Sequence, residues 1–217
     1  MTYQHIGVIG AGSWGTALAL VAARAGRRVT LWARDASHAA HMAETLTNTR
    51  YLPGIDLPTE ISPTADRAAL ADADAVLLVA PAQTLRAVAG QFADLLPPDC
   101  PAVICAKGIE FSTGALMSEV LAEVMPARCI AALSGPTFAG EVARGLPTAV
   151  TLACTDRDIA MRLTESLATP TFRPYASTDV IGVEVAGAMK NVIAIACGFV
   201  IGRGLGENAR ASLITRN

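Results

Sequence analysis

Short apolar runs alternate with amphipathic helical patterns over most of the chain. Near-continuous apolar runs are typical of strands buried on both faces, and strand–helix alternation is typical of a mostly parallel sheet covered by helices. The pattern therefore predicts a doubly wound, mostly parallel α/β sheet. The predicted strands are residues 5–10, 28–33, 75–80, 101–106, 129–134 and 148–153, and the predicted helices are residues 16–26, 36–46, 84–96, 113–125, 138–145 and 157–168.

The pattern changes after the last predicted helix. A long apolar run rich in Gly and Ala covers residues 180–202, and a helical pattern continues toward the chain end. We therefore predict one α/β domain over residues 1–178 and the start of an all-α second domain, only begun, over residues 179–217. Because Glu184 and Lys190 would be costly near the centre of a bilayer, we expect the apolar run to be a buried helix of a soluble protein and not a membrane span.

Composition and charge exclude some functions. Hydrophobic residues make up 52% of the chain and charged residues 17%, and the net charge is −2. Nucleic-acid or membrane-surface binding as the main activity would need a basic face, so we expect neither. The five cysteines form no CxxC pair, which favours small buried thiols kept reduced in the cytoplasm. Glycine-punctuated structure begins by residue 6, so no leader is expected.

A metal site is not expected either. His38, His41 and Glu44 share one face of the second predicted helix. The spacing superficially suggests metal ligands, but the trio lacks a fourth ligand and an apolar shell. We interpret these residues as a solvated helix face.

A glycine motif at the end of the first predicted strand indicates a dinucleotide-binding, Rossmann-type fold. Gly10, Gly12 and Gly15 form a G-x-G-x-x-G motif that follows a strand and opens a helix, which is the context that gives the motif its meaning. Gly10 would allow the tight turn, Gly12 the approach of a pyrophosphate to the backbone, and Gly15 the close packing of helix on strand. The helix start would offer free N–H groups to the phosphates.

The residues after the second strand bear on which dinucleotide is bound. Arg34 comes first and Asp35 next. An acidic residue here would hold a ribose 2′-hydroxyl and favour NAD, whereas an arginine suits the 2′-phosphate of NADP. Asp35 has a second interpretation, as the N-cap of the following helix. We predict NADP, with NAD as the alternative.

Lys190 stands in an otherwise small and apolar helical segment. One interpretation is that its four-carbon stem reaches to solvent. The other is that desolvation lowers its pKa, so that the side chain exchanges protons near neutral pH. The residue alone does not decide between them.

Several further motifs resemble those of the bacterial-type NAD(P)-dependent glycerol-3-phosphate dehydrogenases. They occur in order over essentially the whole chain. They are GVIGAGSWGTALA at the start, N-x-x-YLPG-x-x-LP (48–58), VAPAQ (79–83), AKGIE (106–110), SGPTFAGEVARGLPTAV (134–150), IGVEVAGAMKNVIAIACG (181–198) and GENARASLITR (206–216).

This resemblance implies an oxidoreductase that transfers a hydride between NAD(P)H and dihydroxyacetone phosphate, giving sn-glycerol 3-phosphate for phospholipid synthesis. It also implies roles at matching positions. Ser13, Trp14, Arg34, Tyr51 and Ala139 would contact cofactor together with the glycine loop, Lys107 would lie between cofactor and substrate, Gly135 and Thr137 would contact substrate, and Lys190 would be the general acid and base. A lysine in an apolar wall beside Lys107 is expected to have a lowered pKa.

The family pattern continues into a larger helical domain with an aspartate and a Ser-Arg-Asn segment, which do not occur in these 217 residues. Two alternatives therefore stay open: a dinucleotide-binding fragment without turnover, and a reductase of another small keto or hydroxy acid. An unfinished helical domain would expose an apolar patch, so a homo-oligomer is also expected.

Overall fold

The computed structural model describes residues 2–216. The strands are β1 (His5–Ile9), β2 (Arg28–Trp32), β3 (Ile61–Thr64), β4 (Ala75–Leu78), β5 (Ala102–Ile104), β6 (Ile130–Ser134), β7 (Thr148–Cys154) and β8 (Phe172–Ser177). The helices are α1 (Ser13–Arg24), α2 (Ala36–Thr45), α3 (Ala82–Gly90), α4 (Met117–Val124), α5 (Ala139–Ala143), α6 (Arg157–Leu167), α7 (Val180–Gly202) and α8 (Glu207–Thr215), with a short 3₁₀ turn before β4.

Within residues 2–216, eight strands form a single sheet in the order β3-β2-β1-β4-β5-β6-β7-β8. All neighbouring pairs are parallel except β6 and β7. One buried cluster lies under α1, α5 and α6, and a second under α3 and α4 on the other face. The prediction of a doubly wound, mostly parallel Rossmann-type sheet followed by helices is confirmed. The strand order reverses between β1 and β4, and such a switch point opens a crevice at the carboxyl ends of the strands.

The two strands that the sequence pattern missed are the two edges of the sheet. β3 contains Pro63 and β8 contains Pro174. Proline lacks the N–H group that a central strand must donate, so it is confined to edges and bulges. Each of these strands pairs on one side only, which is why proline is tolerated there and why the pattern did not read as a strand.

The largest differences from the predicted helices concern two of them. The helix predicted over 84–96 ends at Gly90, and the helix predicted over 113–125 begins at Met117. Gly114 has φ of +73°, a left-handed conformation outside the right-handed helix, so residue 114 cannot start a helical turn. These differences leave the layers of the fold unchanged.

The prediction that the apolar run 180–202 is a buried helix was half right. The helix forms over α7, but across this fully described helix only Val180, Glu184 and Gly187 are buried. The first two turns pack on the sheet, and the later turns extend beyond it and contact α8. Among residues 2–216, α7 is the one helix long and apolar enough by composition to cross a membrane. Glu184 and Lys190 lie within it, and Asp179 caps its start by accepting from the Gly182 amide at 2.8 Å.

Candidate active site

The glycine loop has the backbone geometry that the motif predicts. Gly10 has φ of +120°, a conformation that favours glycine, and joins β1 to α1. A Cβ placed on Gly15 would stand 1.7 Å from the Gly10 carbonyl oxygen, so any side chain there would force helix and strand apart. The tight turn and the close packing expected from the sequence are both present.

The start of α1 leaves room for an anionic ligand. Gly12 is its N-cap residue, and in the part of the chain that the structure describes no side chain caps this end. No described heavy atom lies within 4 Å of a Cβ built on Gly12, so the loop is open on this side. The first-turn N–H groups and the positive end of the helix dipole therefore face an open approach, as dinucleotide phosphates require. The residues present fit a dinucleotide.

A buried asparagine that the sequence analysis did not single out holds this loop in place. The Asn48 side-chain amide donates to the Ala11 carbonyl at 3.0 Å and to Thr16 Oγ1 at 2.7 Å. Nearby, Ser13 Oγ donates to the Tyr51 carbonyl at 2.7 Å. Asn48 is fully buried. The sequence does contain a signal for Asn48, because this residue opens the N-x-x-YLPG motif and a buried amide needs hydrogen-bond partners.

The end of β2 places Arg34 and Asp35 at the rim of the crevice, with both side chains exposed. Asp35 is the N-cap of α2, as one of the two interpretations held, and accepts from the backbone N–H groups of Ser37 and His38. These hydrogen bonds, that of the Ser37 hydroxyl first among them, lower the pKa of the Asp35 carboxyl. Tyr51 is 41% exposed at the same rim.

The interpretation of His38, His41 and Glu44 as a solvated face was wrong for one residue. His38 is 9% exposed and meets the Tyr51 ring edge-on, with ring centroids 5.4 Å apart. α2 turns this side inward, and burial is the main cause that lowers the pKa of the His38 imidazole. His41 and Glu44 are exposed. Among residues 2–216 no group of three His, Cys, Asp or Glu side chains is placed to hold a metal ion.

A cleft of about 450 Å³ lies at the carboxyl ends of β5 and β6, against the first turns of α7. Its described lining residues are Lys107, Ser134, Gly135, Pro136, Thr151, Ser177, Asp179, Gly182, Val183, Ala186, Gly187 and Lys190. The chain contains two lysines, and both line this cleft. The lining thus carries two lysines and one carboxylate, Asp179, where the fold places ligands.

Lys107 is half-buried, and its ammonium donates to the Gly135 carbonyl at 2.7 Å. Burial lowers the pKa of Lys107, and the like charge of Lys190 lowers it further. The structure thus brings Lys107, Gly135 and Lys190 together, as the family motifs implied. Thr137 on the following loop and Ala139 at the start of α5 lie outside the described lining of the cleft.

Helix α7 approaches the sheet closely at Gly187. A Cβ on this residue would stand 3.1 Å from Ser134 Oγ and 3.5 Å from Lys107 Cγ, so a small residue is needed here. One turn earlier, the buried Glu184 accepts hydrogen bonds from the backbone N–H and the hydroxyl of Ser118 at the start of α4. Burial is the main cause that raises the pKa of Glu184.

The expected burial of Lys190 was wrong, because its side chain is exposed at the mouth of the cleft. Glu184 and Gly187 occupy the face of α7 that meets the sheet, so residues further along the helix stand clear of it. Trp14 is partly buried and packs against the core below the loop. Its side chain is therefore a packing element, and a cofactor contact there would involve its backbone.

Comparison with known proteins identifies relatives of the whole chain. The family model for the NAD-dependent glycerol-3-phosphate dehydrogenase N-terminus matches residues 5–160, and that for the C-terminus of the same family matches residues 179–217. An NAD(P)+ glycerol-3-phosphate dehydrogenase of Paramagnetospirillum magneticum is 58% identical over 98% of this chain and 78% of its own length. One of a Bradyrhizobium species is 60% identical over 99% of this chain and 65% of its own length.

Solved structures with a similar fold come from the same family as these sequence relatives. The crystal structure of glycerol-3-phosphate dehydrogenase from Coxiella burnetii superposes with a TM-score of 0.90 at 40% identity, over 99% of this chain and 66% of that one. The Plasmodium falciparum glycerol-3-phosphate dehydrogenase gives a TM-score of 0.89 at 27% identity, over 97% of this chain and 62% of that one. The chain thus spans about two thirds of the length of most of these relatives.

Proposed function

Because the chain belongs to the NAD-dependent glycerol-3-phosphate dehydrogenase family, we propose that it transfers a hydride between NAD(P)H and dihydroxyacetone phosphate, giving sn-glycerol 3-phosphate. One observation carries the proposal beyond family membership. The two lysines of the chain face one cleft at the carboxyl ends of β5 and β6, on the same edge of the sheet as the glycine loop. A phosphorylated ketone is an anion, and paired cations attract and orient it.

The cofactor site is proposed at the glycine loop. Gly10, Gly12 and Gly15 shape the approach, and the N–H groups of Ser13 and Trp14 at the start of α1 face the phosphates. Arg34 and Tyr51 are exposed, and we propose that they contact the adenosine half of the cofactor. We propose NADP as the preferred cofactor, with NAD as the alternative, and Ala139 at the start of α5 as a further cofactor contact.

The substrate site is proposed in the cleft. Lys107 is held by the Gly135 carbonyl and points its charge at the space beside Lys190. We propose the hydroxyl of Thr137, two residues beyond Gly135, as a further substrate contact. The bound dinucleotide supplies the hydride. As negative charge develops on the ketone oxygen, Lys190 Nζ donates the proton, and it takes the proton back in the reverse direction.

The wider setting follows from this chemistry. The product is a glycerophospholipid precursor, and we propose the cytoplasm as the compartment because the five cysteines are free thiols.

We also propose that residues 179–217 begin a helical domain distinct from residues 1–178. Exposed apolar side chains on α7, including Ile195 and Phe199, favour self-association. Light scattering checks this: a monodisperse monomer at high concentration would contradict it.

The test is consumption of NADPH by the purified 217-residue chain, followed by absorbance. We expect turnover with dihydroxyacetone phosphate and at least a tenfold lower kcat/KM with dihydroxyacetone. The reason is that dihydroxyacetone lacks the phosphate group with which the two lysines interact. Lys190→Gln should lower kcat by about 100-fold or more while NADPH affinity stays unchanged. Equal use of both ketones would contradict the substrate assignment.

One alternative function, that of a dinucleotide-binding fragment without turnover, is favoured by a specific observation. The later turns of α7 are exposed, so the cleft is open toward solvent on the side of Lys190. A chain that binds NADPH by fluorescence titration and yet consumes none with any phosphorylated or free ketone would be a dinucleotide-binding fragment without turnover. Turnover of another keto acid, with none of dihydroxyacetone phosphate, would instead indicate a different reductase.

A further inference from the structure

We propose that Arg50 is a second cation, beside Arg34, for the 2′-phosphate of NADP, and that it sets the preference of this chain for NADP over NAD. The proposal rests on the dinucleotide site described above and deepens it. Arg50 lies outside the glycine motif and outside the end of β2, where such a residue would ordinarily be sought.

Two contacts show where the Arg50 side chain lies. Its guanidinium carbon lies 5.2 Å from the centroid of the Tyr51 ring, and its Nη1 lies 3.5 Å from Asp35 Oδ2. Asp35 directly follows Arg34 at the end of β2, where a Rossmann-type fold meets the ribose of the adenosine half. Arg50 therefore stands at the ribose position, although it comes from a loop 15 residues further along the chain.

The loop that bears Arg50 is tied to the glycine loop on both sides of it. Asn48 donates to the Ala11 carbonyl and to Thr16, and the Tyr51 carbonyl accepts from Ser13. These hydrogen bonds keep the Arg50 backbone beside the phosphate-binding turn. The side chain itself is 59% exposed and free to turn toward a ligand.

Asp35 has one carboxylate oxygen engaged in the cap of α2 and the other facing Arg50. Its Oδ1 accepts from the Ser37 backbone N–H at 3.0 Å, the Ser37 hydroxyl at 2.7 Å and the His38 N–H at 3.2 Å, and its Oδ2 faces Arg50. The group that would select NAD thus caps α2 with one oxygen, and a 2′-hydroxyl would have to compete with Arg50 for the other.

The Asp35–Arg50 pair is long and exposed, and such pairs contribute little to stability. A phosphate dianion is a stronger partner, because arginine binds two of its oxygens at once and the hydrogen bonds are charge-assisted. When NADP binds, Arg50 exchanges the carboxylate for the 2′-phosphate and stays stacked on Tyr51. NAD offers no such partner, so the arginine stays with Asp35.

Fluorescence titrations with NADPH and NADH test this on the full chain. We expect Arg50→Met to weaken NADPH binding by about tenfold and to leave NADH binding within about twofold, because only the 2′-phosphate contact is lost. Arg50→Lys should lose less than Arg50→Met. Asp35→Ser keeps a capping side chain but frees Arg50, and it should raise the ratio of NADPH to NADH affinity.

Arg173→Met is the matched control. Arg173 is exposed on the edge strand β8 and stacks on Tyr175 with the same 5.2 Å separation, far along the sheet from the glycine loop. It should change neither affinity. An equal loss for NADPH and NADH in Arg50→Met, or no loss for either, would overturn the proposal while leaving the cofactor site in place. Binding of neither dinucleotide by the unaltered chain would overturn the cofactor site itself.

Discussion

The Lys107 ammonium donates to the Gly135 carbonyl at 2.7 Å and so ties the end of β5 to the end of β6. This contact aims one lysine into the cleft, and α7 brings the other to its mouth. Neither strand pairing nor helix packing requires a lysine here. Two cations at one strand-end cleft are therefore better explained by an anionic ligand than by the fold.

Lys190→Gln should raise the pKa of Lys107. Burial is the first cause of the lowered pKa of Lys107 and the charge of Lys190 is the second, so removal of that charge leaves burial alone. The chain has two lysines, which makes their signals easy to assign by NMR after ¹³C-methylation of the amines. An unchanged titration of Lys107 in the variant would mean that the two ammonium groups do not interact.

Gly15→Ala and Gly12→Ala should separate folding from cofactor binding. A Cβ on Gly15 would stand 1.7 Å from the Gly10 carbonyl oxygen, so this variant should lose about 3 kcal/mol of unfolding free energy. A Cβ on Gly12 meets no described atom within 4 Å, and its φ of −74° suits alanine, so stability should fall by less than about 1 kcal/mol.

NADPH binding should nevertheless be lost in Gly12→Ala, because the new methyl group occupies the approach to the first turn of α1. Urea unfolding and fluorescence titration of both variants provide the comparison. Normal NADPH affinity in Gly12→Ala would show that the phosphates bind elsewhere.

Glu184→Gln should change the pH dependence of stability. The pKa of Glu184 is raised in the folded chain, so the folded state binds more protons than the unfolded state between the two pKa values. Stability therefore falls as pH rises from the ordinary glutamate pKa through the raised value. The glutamine variant removes this slope, and its unfolding free energy relative to the original should grow over that range. Glu165→Gln, at an exposed position, is the control. An equal change of unfolding free energy with pH in the two variants would show that the slope does not arise from Glu184.

Arg86→Gln should destabilise the chain at neutral pH but much less in acid. Arg86 binds both oxygens of the buried Glu110 at 2.9 Å, and this pairing, aided by Thr113, lowers the pKa of Glu110 to about 2. The stabilisation is present above the ordinary pKa of a glutamate and is lost as pH falls toward about 2. Urea unfolding at neutral and acid pH measures the difference. A loss in the variant that is the same at both pH values would exclude this ion pair as its cause.

Local patterns predicted the layers of the fold because strand and helix periods are short-range properties. Sequence patterns failed to predict a strand or the exposure of a side chain where these depend on the position of the residue in the folded chain. The strands with Pro63 and Pro174 tolerate proline only because they lie at the edges of the sheet and pair on one side. The exposure of Lys190 depends on which turns of α7 reach the sheet.

The candidate site likewise contains residues that the local sequence predicts and residues that it does not. Gly10, Gly12 and Gly15 were predicted from their spacing, because the turn chemistry is local. Asn48 and Arg50 were not, because their contacts join residues far apart in the sequence. His38 lies on the same helix as the exposed His41 but turns inward onto Tyr51, which helical spacing alone does not reveal.

The binding of a phosphorylated ketone by the two lysines can be measured directly. Dihydroxyacetone phosphate is added to the ¹³C-methylated chain in the presence of NADPH, and both lysine signals are followed. We predict that both signals shift and saturate together, and that dihydroxyacetone without the phosphate shifts neither. If both signals stay in place while NADPH is bound, the cleft formed by Lys107, Gly135 and Lys190 is not the substrate site.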